Sequence, residues 1–80
     1  MGIQQIILRK LFRRRIIGGK HTAFEHITAG IPKDQHGAAK KAAEELIKQG
    51  LILTKPTNYG LQISLNPERL EEILRIVEGK

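Results

Sequence analysis

The segment from Asp34 to Gln49 constrains this chain more than any other. It is rich in Ala, Lys, Glu and Leu, all strong helix formers, and Gly50 follows where a C-terminal cap belongs. Ala39, Ala42, Ala43, Leu46 and Ile47 recur at i, i+3, i+4, i+7 and i+8, which puts them on one buried face. The first half of that face offers only alanine. Small side chains let a neighbouring helix come close, as happens where two helices cross over a short turn.

Beyond Gly50, Leu51-Ile52-Leu53-Thr54-Lys55 and Leu61-Gln62-Ile63-Ser64-Leu65 are β-rich runs, the second alternating apolar and polar. Pro56-Thr57-Asn58-Tyr59-Gly60 supplies turn chemistry between them, so residues 51–65 are predicted to form a hairpin. Asn66 then caps and Pro67 opens a last helix over 66–78, striped by Leu70, Ile73, Leu74 and Val77.

On the amino-terminal side, the periodicity predicts a first helix that ends near Arg15. Ile3, Ile7 and Leu11 lie along one side, Leu8 and Phe12 a quarter-turn round, and Ile6 on yet another. An apolar arc that wide points to more than one packing partner. Gly18-Gly19 breaks the regularity, and Ile16-Ile17 is too short to assign. Thr22-Ala23-Phe24-Glu25 matches a capping box, predicting a short second helix from Ala23, with Phe24 and Ile27 inward and Gly30-Ile31-Pro32 closing it. The expected domain spans 1–80 and is mainly α with a small β-hairpin: a first helix over 1–15, a helix-turn-helix over 22–50, the hairpin and a C-terminal helix.

Eighty residues make one small domain, which buries only about 60% of its unfolded surface. With no cysteine, neither disulfides nor thiolate zinc sites are available, and a reducing, cytoplasmic setting fits. Charge interrupts the apolar runs every few residues, far short of the roughly 20 that a membrane helix needs. The amino terminus is Arg-rich but lacks the Ser-rich character of a transit peptide, and Ile6 stands where myristoylation requires Ser or Thr. The net charge is +6 and unevenly placed: residues 1–41 hold nine Lys and Arg against two acids, residues 42–80 five against six. One surface is therefore expected to meet a polyanion and another not, the alternative being charge that only solubilises the chain.

The order helix, helix, helix, hairpin, helix resembles the winged helix-turn-helix family, small archaeal members included. Leu46, Gly50, Leu51 and Ile52 match the Leu-x-x-x-Gly-Leu-Ile by which that family's third helix commonly leads into its wing. The resemblance covers roughly residues 5–66 and implies a DNA-binding protein, a transcriptional regulator. Its third helix would enter the major groove, its hairpin would lie along the backbone or minor groove, and its second helix would abut phosphates. Some members of the family bind RNA and others only protein, so an RNA-binding or interaction module in a larger assembly is the alternative.

Residues from several elements are expected at a nucleic-acid contact. Lys40 and Lys41 turn away from the alanine face, and Lys33, Gln35 and His36 sit at or before the first turn, where exposed amides add positive potential. Gln pairs with adenine and Lys with guanine. Lys20 and Thr22, at the start of the second helix, would clamp a backbone phosphate. One or two of Arg13, Arg14 and Arg15 would face phosphate, and Lys55, Asn58 and Tyr59 would act from the hairpin tip. A basic first helix on an anionic membrane has no second anchor in the carboxyl-terminal half.

Gly18-Gly19-Lys20-His21-Thr22 looks like the end of a Walker loop, but Arg14 replaces its leading glycine and His21 its magnesium-binding hydroxyl. His21, His26 and His36 lack partners at a metal-ligand spacing, and Ser64 has no local base. No metal, no cofactor and no enzymatic activity are expected. The apolar stripes of the two terminal helices are expected to pair between chains and make a homodimer, the alternative being a monomer in which they pair within one chain.

Overall fold

In the computed structural model, which describes residues 2–79, the first helix, α1, is Ile3–Arg13. It stops two residues earlier than the periodicity predicts because Arg15 turns left-handed, with φ 56°. Ile16 N–H then donates to the Leu11 carbonyl and Arg15 N–H to that of Phe12, both at 3.0 Å, which satisfies two of the helix's last carbonyls. The Arg15 guanidinium lies 4.8 Å above the Phe12 ring and donates to the Phe12 carbonyl, which helps offset the left-handed backbone.

Ile16 is buried, and Ile17 bridges to Leu65 in parallel. Thr22–Ala23 forms a strand, β1, where the sequence predicts a helix start. The capping box does not form: the Thr22 hydroxyl shares a 2.9 Å hydrogen bond with His26 Nδ1, and the backbone of Thr22 pairs with Ile63. The next segment, Phe24–Thr28, is a 3-10 helix without a side-chain cap. Too short to gain from the regular α-helical ladder, it is held by tertiary packing through Ile27.

A 3-10 turn, Lys33–Gln35, leads into α2, His36–Lys48. Ala39, Ala43 and Leu46 are fully buried, as their spacing predicts, and α2 packs against α1 and the 3-10 helix. Gly50, at φ 79°, ends α2: its N–H donates to the Ile47 carbonyl and Leu51 N–H to that of Leu46.

Strands β2 (Ile52–Thr57) and β3 (Gly60–Leu65) form the hairpin. Its turn is two residues long, not five, because Thr57 already pairs with Gly60, whose φ of 118° suits glycine. With β1 added, the hairpin becomes a three-stranded antiparallel sheet in the order β1-β3-β2, so the molecule is mixed α/β rather than mainly α. Pro56 stands on β2, an edge strand, where a residue without an N–H is tolerated. Ser64, outward by its alternation with Ile63 and Leu65, is buried, and its hydroxyl has no hydrogen-bond partner among the described residues.

A 3-10 turn, Pro67–Arg69, opens α3, Leu70–Glu78, and Asn66 caps it as expected by accepting from Glu68 N–H at 3.0 Å. α3 packs on α1 within the same chain, where Leu70, Ile73, Ile76 and Val77 join a core built on Ile7, Leu8, Leu11 and Leu46. The apolar stripes expected to make a dimer interface therefore meet intramolecularly, with Ile76 taking the place foreseen for Leu74. No helix among the described residues is long and apolar enough to cross a membrane.

Candidate nucleic-acid interface

Burial of the alanine face turns the opposite side of α2 to solvent. Lys40 and Lys41 are exposed there, Lys33 and Gln35 are exposed in the preceding turn, and Glu44, Glu45 and Lys48 continue the same side with mixed charge. The positive part of this side of α2 is thus its amino-terminal half. His36 is half-buried instead: its Nε2 donates at 2.8 Å to the Ile31 carbonyl, so it braces the turn between the short helix and α2.

The hairpin brings one predicted residue, Tyr59, beside Lys40 of α2. Tyr59 is 96% exposed at the turn. Thr57 shapes that turn, its hydroxyl donating to the Gly60 carbonyl at 2.7 Å and accepting from Tyr59 N–H at 3.2 Å. A hollow on one side of Tyr59 is lined by Phe24, Glu25, Lys40 and Leu61. A second, on its other side, is lined by His21, Lys55, Thr57, Asn58 and Gln62. Lys40 of α2 and Tyr59 of the hairpin, 19 residues apart in sequence, therefore wall one opening, while Lys55 and Asn58 line the second hollow, which shares only Tyr59 with the first.

The other candidates lie elsewhere. Thr22 is only 8% exposed and is bonded to His26, so its place is in the sheet and not on the surface. Lys20 is exposed, with its ammonium donating to the Arg14 carbonyl at 3.3 Å. Arg13, at the end of α1, and Arg14, just beyond it, are exposed beside Ile6, Arg9 and Lys10, in a groove that shares no lining residue with the hollows around Tyr59. His21, His26 and His36 do not assemble: among the described residues no three His, Asp or Glu side chains gather as a metal site.

Sequence reasoning missed Lys10. Its ammonium donates to the carbonyls of His26, at 3.2 Å, and Ala29, which ties α1 to the end of the 3-10 helix and so helps set where α2 begins. Burial, and secondarily the Arg14 guanidinium, push its pKa below the usual lysine range. A lysine in an Arg-rich run reads as solvated charge, and nothing local marks it as a strut. Comparison of the chain with protein-family models, with curated proteins and with solved structures finds no match.

Proposed function

We propose that the chain is a winged-helix protein that binds double-stranded DNA as a transcriptional regulator. The amino-terminal half of α2 enters the major groove, and the hairpin tip braces on the backbone. One observation carries the reading: Lys40 on α2 and the exposed Tyr59 on the hairpin face a common opening. A helix flanked by a hairpin tip presents two elements at once to a duplex, one for base edges and one for phosphate and sugar. Lys33, Gln35, Lys40 and Lys41 act from the helix side, and Lys55, Asn58 and Tyr59 from the hairpin. The +6 net charge supports a polyanionic partner, and Lys33, Lys40 and Lys41 place part of it at this contact. A chain without cysteine suits the reducing cytoplasm, and the proposed role belongs there.

Affinity for duplex DNA, duplex RNA and single-stranded DNA, each measured across a salt series, tests the proposal. Duplex DNA should bind best, and log affinity should fall against log salt with a slope of about −0.9 for each phosphate neutralised. Flat salt dependence, or tighter binding to duplex RNA, overturns it.

A further inference from the structure

The groove on α1 has no part in the duplex contact proposed above. Ile6, Arg9, Lys10 and Arg13 line it from one face of α1, at i, i+3, i+4 and i+7, and Arg14, the residue that caps the helix, completes it. Four of the five are cations, α1 itself contains no acidic residue, and the first acid in the chain is Glu25. The fifth, Ile6, is 36% exposed and gives this basic face an apolar spot. Lys10 is held in position at the groove by the His26 and Ala29 carbonyls, so the wall it forms is pre-set.

We propose that this face docks an acidic, amphipathic helical segment of a partner protein. Carboxylates on the segment meet the guanidiniums of Arg13 and Arg14, and one apolar side chain seats on Ile6 and the aliphatic stems around it. A phosphodiester backbone would satisfy the cations but would leave Ile6 in water, which is why the groove favours a peptide over a second nucleic acid. From Ile6 to Arg13 the helical face runs for about 10 Å, matching a segment of roughly two helical turns. The proposal rests on α1 alone and does not depend on what α2 and the hairpin bind.

The probe is a synthetic helix-forming peptide of about 12 residues, rich in Glu and with one Leu on the acidic face, titrated into the isotope-labelled full chain. Amide signals of α1 around Ile6, Lys10 and Arg13 should shift while those of Lys40 and Asn58 stay in place. Arg13→Glu with Arg14→Glu should weaken the peptide at least tenfold. Ile6→Ser should weaken it several-fold and leave inorganic polyphosphate binding unchanged. Thermal melts of the same variants, which alter only exposed side chains, report whether the fold persists. Shifts confined to α2 and the hairpin, or an Ile6→Ser variant that binds peptide as well as the parent, overturn the proposal. So does a duplex-DNA affinity that falls as far in the double arginine variant as in Lys40→Ala with Lys41→Ala, because the face then belongs to the nucleic-acid contact.

Discussion

The Gln5 side-chain amide donates a 3.1 Å hydrogen bond to the Val77 carbonyl, joining α1 to α3 across 72 positions of sequence. The bond stands beside the apolar contact of Ile7 and Leu8 with the α3 side of the core. Helices that cover each other in this way have little apolar surface left for another copy. Sedimentation at micromolar concentration should therefore show one species of 9.0 kDa. Ile7→Glu should unfold the chain, since it buries an unpaired charge, whereas Leu74→Glu, at a position outside the core cluster, should cost little. A concentration-dependent heavier species abolished by Leu74→Glu would show that the terminal helices also pair between chains.

Replacing Lys40 and Lys41 with Ala should weaken duplex binding and leave the melting temperature within experimental error, since both side chains are exposed. Leu46→Ala, in the core beneath them, should cost about 2–5 kcal/mol of stability. A lysine pair that alters stability but not affinity would remove α2 from the contact.

Thr22→Val should behave as a folding variant. It keeps the shape of the side chain but removes the hydroxyl bonded to His26, and a loss of about 0.5–1.5 kcal/mol is expected with duplex affinity unchanged. Equilibrium denaturation and a binding isotherm on the same preparation separate the two effects.

Ser64→Ala should be neutral or stabilising, because it removes a buried hydroxyl that has no partner among the described residues. A denaturation midpoint clearly below that of the parent would mean that the hydroxyl does make a hydrogen bond.

Gly50→Ala should destabilise by about 1 kcal/mol or more, for two reasons. The left-handed φ of 79° disfavours any Cβ, and the added atom would lie 3.1 Å from Arg69 Nη1, which donates to the Gln49 carbonyl. Chemical denaturation gives the value directly.

α1 and α2 end on the same pair of hydrogen bonds, yet only one ending was legible in the sequence. Gly50 announces a left-handed cap because glycine adopts that backbone at little cost, whereas Arg15 adopts it with support from Phe12, which no propensity records. Local periodicity likewise located α2, the hairpin, Asn66 and α3. It missed β1, because Thr22-Ala23 is a strand only by pairing with Ile63 and Gln62 some 40 residues away. A capping box is a local pattern, and a tertiary contact outweighed it. At the candidate interface, exposure of Lys33, Gln35, Lys40 and Lys41 follows from helix phase and could be read directly. The struts made by His36 and Lys10 depend on which carbonyls the turn aims at them, and no single stretch of sequence encodes that.

The outer edges of the sheet bear on how copies behave when packed closely. Wherever copies of a protein are held far above their average concentration, an open strand edge invites the next molecule to add a strand and start a fibre. β1 offers only two residues to such an addition, and β2 carries Lys55 and Pro56, a charge and a residue with no N–H to donate. The hairpin that holds Tyr59 out to solvent is thus guarded along its β2 flank, where close-packed copies meet a charge and a missing donor instead of an open edge.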